Sequence, residues 1–180
     1  MRITKENTVA LVVDIQERLF PHIHDHQQLK KNIGILVDGL QALGVPMMVT
    51  EQYKKGLGPT IKGLAEKVAT CPTFEKIAFS CMDDEAFIEK FETEGYKTAI
   101  LFGIEAHICL MQTALDLQAK GYKPVVVEDC VGSRNPENHR IAINRMLQQG
   151  ILVTSYESLL FELCRFAGTD TFKTISKLVK

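Results

Sequence analysis

Five short apolar segments, separated by stretches of different pattern, limit the fold of this chain more than any other feature. Each is rich in β-branched residues and apolar at successive positions, which is typical of parallel strands buried on both faces. The segments are residues 8–14, 45–50, 97–103, 123–129 and 150–155. A sheet made of such strands needs helices on both of its faces to exclude water.

Helical patterns fill the intervals between these segments. Between the first two, leucine and isoleucine recur every three or four residues, and Gly44 follows them where a helix C-cap would lie. Asn135, which precedes Pro136, and Ser155 have the positions of helix N-caps. The alternation predicts right-handed βαβ units in one α/β domain over residues 1–180, a three-layer α/β/α sandwich around a mostly parallel sheet.

Composition and charge argue against several classes of binding partner. The 21 basic and 22 acidic side chains give a net charge of -1 without a long basic run, so we expect no nucleic-acid partner. No segment approaches the roughly 18 apolar residues of a membrane span, and the first residues lack the apolar stretch of a secretory signal. Five cysteines without a CxxC pair indicate reduced thiols. We therefore expect a cytoplasmic protein with no membrane partner.

Reactive side chains lie where the predicted strands end. In open α/β sheets, sites form at the carboxyl ends of the strands, and Asp14, Glu51 and Asp129 fall there. The glycine patterns that bind dinucleotides or phosphates, GxGxxG and GxxxxGK[ST], are absent, and we expect no organic cofactor.

Cys109 follows the third segment and lies in the first turns of a helix predicted from about residue 106 to 120. Free N–H groups and the helix dipole favour an anion at such a position, which predicts a lowered pKa for the Cys109 thiol. Asp14 and Lys76 are the candidate base and cation beside it. Taken singly, Asp14 is also a common turn residue, and Lys76 is also explained by a lysine that extends to water.

Three segments taken together resemble one family. "VALVVDIQERL", "FEKIAFSC" and "ILFGIEAHICL", in this order, resemble the motifs of the isochorismatase-like cysteine hydrolases, and "VVVEDCVGSRNPENHRIAINRM" continues the likeness. The resemblance extends over essentially the whole chain. "GIEAHIC" and "TEQYKKGLGPT" resemble in particular the isochorismatase domain-containing subgroup.

The resemblance implies an isochorismatase-like hydrolase fold and a catalytic role for three side chains. Cys109 would be the nucleophile, Asp14 the general base, and Lys76 the cation that stabilises both. A cis peptide between Ile104 and Glu105 is also implied, and the backbone N–H groups of Glu105 and Cys109 would form an oxyanion hole. The expected reaction is hydrolysis of a C–N bond (amide, carbamate or ureido) in a small molecule through a thioester.

The sequence departs from the metal-binding members of this family. Nicotinamidases hold a metal through an Asp-x-His pair and a further histidine near the end of the second strand, where this chain has "TEQYKKG". His22, His24 and His26 alternate in a polar loop, where histidines are usually solvated. We therefore expect no metal.

Several other side chains are candidates for a supporting role. Gln16, Phe20 and Tyr53 lie in loops near the predicted site and are expected to line it. Arg134 is positioned either to bind a substrate carboxylate or to form a structural salt bridge. His107 suggests a Cys-His pair with Cys109, but residues two apart on a helix point to different sides, so helix packing or a supporting role behind the site is favoured.

Two other function classes stay open at this point. The chain is alternatively a catalytically idle domain that binds a small molecule or a protein, or a thiol redox protein in which Cys81 or Cys130 resolves a disulfide. Residues 155–180 carry more apolar side chains than one covering helix needs, which favours a homo-oligomer. The alternative is that two helices there pack on the sheet and on each other.

Overall fold

The computed structural model describes residues 2–180 and contains one six-stranded sheet in which every pairing is parallel. The strand order is β3-β2-β1-β4-β5-β6. The strands are β1 (Thr8–Val13), β2 (Met47–Gln52), β3 (Thr73–Lys76), β4 (Thr98–Ile104), β5 (Lys123–Gly132) and β6 (Leu152–Thr154). The five apolar segments of the sequence are all strands, and the predicted parallel sheet is confirmed.

Strand β3 is the element that the sequence did not predict. It forms the edge of the sheet and pairs only with β2, from Val49↔Thr73 to Gln52↔Lys76. Of its four residues, only Lys76 is buried. β3 is exposed or partly exposed at most of its positions and has no apolar run, whereas β6, at the opposite edge, keeps a short one although its residues are only partly buried. Lys76 therefore lies at the carboxyl end of its strand, on the same side of the sheet as Asp14, which follows the carboxyl end of β1.

Helices cover both faces of the sheet, as the three-layer prediction required. On one face α1, α7 and α8 pack against one another, and on the other α5 and α6 pack against each other and against a π-helical turn, Ala106–Leu110. Within residues 2–180, no helix is long and apolar enough to cross a bilayer. The α-helices are α1 (His26–Leu43), α2 (Lys54–Leu57), α3 (Lys62–Lys67), α4 (Glu85–Thr93), α5 (Met111–Ala119), α6 (Pro136–Gln148), α7 (Tyr156–Cys164) and α8 (Asp170–Leu178).

The predicted helix caps are present. Gly44 closes α1 in the left-handed conformation, with φ 71°. The side chain of Asn135 accepts a hydrogen bond from the backbone N–H of Glu137, and that of Ser155 accepts one from Ser158. These caps satisfy backbone groups that the helices leave unpaired.

The strands are added to opposite sides of the sheet before and after β4, so the strand order changes direction between the neighbouring strands β1 and β4. From β1 the chain proceeds to β2 and β3 on one side, and from β4 it proceeds to β5 and β6 on the other. Loops that leave β1 and β4 therefore diverge and open a crevice at the carboxyl ends of these two strands. Asp14 follows β1 at this crevice, and Cys109 follows β4.

The C-terminal helices use most of their apolar side chains internally. Phe161 and Phe172 join α7 and α8, with ring centroids 6.2 Å apart, and only Phe166 is largely exposed. The packing that the sequence left as the alternative is thus present, and the apolar surplus gives no argument for a second subunit. The buried members are Leu159, Leu160, Leu163 and Ile175.

Gly103 lets β1 and β4 approach closely at the crevice. It pairs with Val13 and has φ 126°, a conformation that other residues rarely adopt. A Cβ at this position would lie 2.1 Å from the carbonyl oxygen of Val13. Only glycine fits here, directly before the residues that form the site.

We predict that Gly103→Ala lowers the free energy of unfolding by about 3 kcal/mol or more, because the new methyl group meets a strand backbone that cannot move away. Urea denaturation measures the change. Gly34→Ala is the matched control: Gly34 lies inside α1 with no atom within 4 Å of an added Cβ, so alanine should stabilise the protein by up to about 1 kcal/mol. Equal stability of the two variants would contradict the close approach.

Candidate functional site

A buried ion pair joins the ends of β1 and β3. The ammonium nitrogen of Lys76 lies 2.7 Å from Oδ2 of Asp14, and the two side chains are 0% and 1% exposed. Asp14 has φ 52°, in the left-handed region that aspartate tolerates better than most residues. The interpretation of Lys76 as a lysine that extends to water is therefore wrong.

The Lys76 ammonium has a full set of acceptors. Besides Asp14, it donates to Oε1 of Gln52 at 2.7 Å and to the carbonyl oxygens of Ala78 and Phe79 at 3.2 and 3.0 Å. Burial alone would lower the pKa of Lys76, but the negative charge of Asp14 and the hydrogen bond to it raise the pKa above its usual value. The ammonium is thus charged at neutral pH.

The Asp14 carboxylate is held on both oxygens. Oδ1 accepts a hydrogen bond of 2.7 Å from the hydroxyl of Thr50, and Oδ2 accepts the one from Lys76. The backbone N–H of Asp14 also donates to the carbonyl oxygen of Thr50 at 3.1 Å. Its position is therefore determined by β2 and β3 together.

Cys109 lies in the π-helical turn after β4 and is 6% exposed. Burial raises the pKa of its thiol, and the charge of Asp14 and a hydrogen bond with the same carboxylate raise it further, while Lys76 opposes them. The lowered pKa predicted from the helix N-terminus is therefore wrong. The sequence pattern indicated where the helix begins, but it indicated neither the burial of the thiol nor the carboxylate beside it. The thiol keeps its proton at neutral pH, with Asp14 as its partner.

The segment that precedes Cys109 is tied to the loop after β5. The peptide bond between Ile104 and Glu105 is cis. The buried Glu105 carboxylate accepts hydrogen bonds from the backbone N–H of Arg134 at 2.9 Å and from its Nε at 3.1 Å. Of the two roles predicted for Arg134, the salt bridge is present; its guanidinium is otherwise largely exposed, and a substrate contact stays a prediction.

The thiol of Cys81 and the hydroxyl of Thr113 complete the surroundings, and sequence reasoning assigned neither of them a role in a hydrolase site. The Thr113 hydroxyl donates to the carbonyl oxygen of Cys109 at 2.7 Å and accepts from the backbone N–H of Cys81 at 2.9 Å. Burial raises the pKa of Cys81 to about 11, and the charge of Asp14 contributes. One signal was available for Thr50 and Gln52: they lie two apart near a strand end, so they share a face.

The three loop residues predicted to line the site have different surroundings. Gln16 is fully buried; its amide nitrogen donates to the carbonyl oxygens of Gln52 and Gly58 at 3.0 and 2.7 Å, and its Oε1 accepts from the Gln52 N–H at 2.7 Å. Phe20 is buried edge-on against His26, with ring centroids 6.0 Å apart. Tyr53 is half exposed. Of the three, Tyr53 alone presents a side chain to solvent.

His107 packs away from the thiol and toward β5. Its Nδ1 lies 2.9 Å from the hydroxyl of Ser133, as expected for a packing role. A cavity of about 270 Å³ lies beyond Ser133, with His24 and His139 among its lining residues. Within residues 2–180, no group of three or more His, Cys, Asp or Glu side chains is arranged to hold a metal ion.

Comparison with known proteins agrees with this arrangement of elements. The model of the isochorismatase domain matches residues 8–158. Isochorismatase domain-containing protein 1 from Salmo salar is 36% identical over 173 residues. The match covers 96% of this chain, and the chain spans only 61% of the length of that protein. The secreted isochorismatase effector Isc1 from Phytophthora sojae is 35% identical over 99% of this chain and 87% of that protein.

A solved structure extends the likeness to three dimensions. The MAR1 ribonuclease from Caenorhabditis elegans superimposes with a TM-score of 0.92 at 34% identity, covering 99% of this chain and 92% of that one. The family match and the relatives together cover nearly all of the sequence and include every strand of the sheet. The chain therefore belongs to the isochorismatase family of hydrolases.

Proposed function

We propose that this protein is a cysteine-dependent hydrolase that cleaves a C–N bond of a small molecule through a thioester, in one domain that spans residues 1–180. The observation that carries the proposal is the shared carboxylate: Asp14 is bound by the Lys76 ammonium at 2.7 Å, and the charges of both side chains act on the buried Cys109 thiol. A base, a cation and a nucleophile close enough to influence one another's ionisation are what acyl transfer to a thiol requires.

In the first half of the reaction, Asp14 removes the thiol proton as Sγ of Cys109 attacks the substrate carbonyl carbon. The carbonyl electron pair moves to oxygen, and the backbone N–H groups of Glu105 and Cys109 stabilise this oxyanion. The tetrahedral intermediate collapses, the C–N bond breaks, and the leaving nitrogen takes the proton from Asp14. The product of this half is an amine or ammonia and a thioester on Cys109.

In the second half, Asp14 removes a proton from water as the water oxygen attacks the thioester carbon. The C–S bond breaks and the thiolate regains the proton, which restores the starting state. Lys76 does not transfer a proton in this scheme, because its raised pKa and four acceptors keep it an ammonium throughout. Its charge maintains Asp14 as a carboxylate between proton transfers.

The raised thiol pKa fits general-base catalysis better than a permanent thiolate. A protonated thiol hydrogen-bonded to a carboxylate is ready to lose its proton during attack, so the nucleophile forms when the substrate is present. The scheme needs neither a metal nor an organic cofactor. Gln16, Phe20, Tyr53 and Arg134 stay the proposed substrate contacts, and Gln16 in addition holds the loop after β2 through its hydrogen bonds to Gln52 and Gly58.

RNA is not the proposed substrate, although MAR1 is described as a ribonuclease. The chain has a net charge of -1, the Lys76–Asp14 pair is buried, and the exposed Arg134 is paired with Glu105, so neither ion pair of the site offers an unpaired cation to a phosphate backbone. A thiol redox role has one supporting observation, since Cys81 is close enough to Cys109 for a charge on its sulfur to raise the Cys109 pKa. A binding module without catalysis is the other alternative.

We predict hydrolysis in a screen of small amides, carbamates and ureido acids with detection of released ammonia. Cys109→Ser and Asp14→Asn should each lower kcat/KM on the best substrate at least about 100-fold, because each removes a group that acts on the reacting atoms. Cys164→Ser is the matched control, since Cys164 lies at the end of α7. Binding without turnover would indicate the idle domain, and turnover that survives Cys109→Ser would exclude the thioester.

We predict that iodoacetamide labels Cys109 slowly at pH 7, with a rate that rises about tenfold per pH unit toward pH 9, because its pKa is raised. The half-exposed Cys71 and Cys164 should be labelled first. Asp14→Asn should accelerate labelling of Cys109 at pH 7, and Lys76→Met should slow it, since these side chains shift the thiol pKa in opposite directions. Peptide mass spectrometry gives the rates; fast labelling of Cys109 at pH 6 would contradict the raised pKa.

We also propose a cytoplasmic homo-oligomer. All five cysteines are unpaired, which fits a reducing compartment. After β3, Ile77 and Phe79 are 71% and 54% exposed, beside the half-exposed Tyr53, whose N–H bonds the Lys76 carbonyl oxygen. Apolar side chains concentrated at one edge of the sheet favour burial against a second copy of the chain.

Light scattering behind size exclusion should therefore give a multiple of 20.2 kDa. The double variant Ile77→Ser and Phe79→Ser should shift the mass toward that of one chain, because it removes the apolar contacts of the interface. Phe166→Ser, at the other exposed aromatic position, should leave the mass unchanged. A mass of 20.2 kDa for the unaltered protein excludes the oligomer, and a response to Phe166→Ser alone places the interface elsewhere.

A further inference from the structure

We infer that Thr50, on β2, is a positioning residue that sets how the Asp14 carboxylate handles the Cys109 proton. The inference rests on the proposed function, since it assigns a role within that site. Thr50 is completely buried, and its hydroxyl donates to Oδ1 of Asp14 at 2.7 Å. An ionised carboxylate only accepts hydrogen bonds, so the single hydroxyl proton of Thr50 must point at Asp14.

Thr50 contacts Asp14 through its backbone as well as its side chain. The backbone N–H of Asp14 donates to the Thr50 carbonyl oxygen at 3.1 Å, so one residue fixes both ends of the aspartate. The sulfur of Cys81 lies 3.9 Å from the Thr50 hydroxyl oxygen, on the acceptor side of that group. With these three contacts, neither the hydroxyl nor the carboxylate has freedom to rotate.

The register of β2 explains why this strand supplies the contact. In the sheet, β2 lies between β1, which leads to Asp14, and β3, which ends at Lys76. Thr50 and Gln52 are two residues apart and share a face. Thr50 bonds the negative partner of the ion pair, and Oε1 of Gln52 bonds the positive partner at 2.7 Å. The strand between the two charges thus gives each of them a neutral partner.

Loss of the hydroxyl would change the chemistry of the carboxylate and not only its packing. With one donor fewer, the Asp14 carboxylate becomes a stronger base, and its charge acts more strongly on the nearby Cys109 thiol, whose pKa burial and this charge already raise. The pKa of the Cys109 thiol therefore rises, and less thiolate is present at a given pH. A carboxylate free on one oxygen also rotates away from the orientation that proton transfer needs, which lowers kcat more than it alters KM.

The test compares Thr50→Val, which has nearly the same shape without the hydroxyl, with Thr50→Ser, which restores the hydroxyl. The first readout is the iodoacetamide labelling rate of Cys109 between pH 6 and 10, which does not depend on turnover. Thr50→Val should label about 3- to 10-fold more slowly at pH 8, and Thr50→Ser within about twofold of the unaltered protein. The second readout is kcat and KM on the best substrate of the amide screen, where kcat should follow the same order.

Thr8→Val is the matched control for the loss of a buried hydroxyl. Thr8 lies at the opposite end of β1, is buried, and donates through its hydroxyl to the carbonyl oxygen of Thr4 at 2.7 Å. Its loss should lower stability without changing the labelling profile. If Thr50→Val fails to fold, Thr50→Ala and Thr50→Ser form the comparison, since they differ by the hydroxyl oxygen alone.

The two readouts separate this inference from the proposed function. Labelling of Thr50→Val that matches the unaltered protein at every pH would overturn the positioning role, whether or not the protein hydrolyses amides. A slower labelling that serine restores supports the role even where no substrate is turned over, and in that case only the hydrolase proposal fails. A change of the same size in Thr8→Val would show a general loss of stability and would also overturn it.

Discussion

The ion pair between Asp14 and Lys76 is the interaction on which the rest of the site depends. Transfer of two charges from water to a protein interior costs several kcal/mol per ion, and direct attraction offsets this only where further hydrogen bonds complete the geometry. Here Thr50 binds the carboxylate, while Gln52 and two backbone carbonyls bind the ammonium. Each of these partners is supplied by β2 or by the segment after β3, so the charges can be buried only in this fold.

The doubly wound sheet determines where the pair meets its nucleophile. Asp14 leaves β1 and Cys109 follows β4, which are the two neighbouring strands at which the chain changes direction. The backbone approach at Gly103 draws the ends of these strands together. The thiol is consequently buried beside a carboxylate, and burial together with the charge of that carboxylate raises its pKa.

The buried parts of the fold were predictable from the sequence, and the polar contacts largely were not. The four inner strands have apolar runs because both of their faces are buried; at the two edges, β6 keeps a short apolar run although it is only partly buried, whereas β3 is mostly exposed or partly exposed and has none. The positions of Asp14 and Cys109 directly after predicted strands, with Lys76 as the candidate cation, predicted one site at the carboxyl ends of the strands. The direction of the Cys109 pKa shift depends on burial and on the distance to Asp14, and the partner of Arg134 depends on where Glu105 points; neither is encoded in local pattern.

The loop after β2 is anchored from beneath by side chains that face inward. The Glu51 carboxylate accepts hydrogen bonds from the backbone N–H and hydroxyl of Thr60 at 2.7 and 2.8 Å, and Gln16 binds the carbonyl oxygen of Gly58. Tyr53 and Lys55 extend outward from the same loop and take no part in this anchoring through their side chains. Substitution at these two outward positions would therefore leave the anchoring hydrogen bonds in place, so this surface can vary in sequence while the loop keeps its shape.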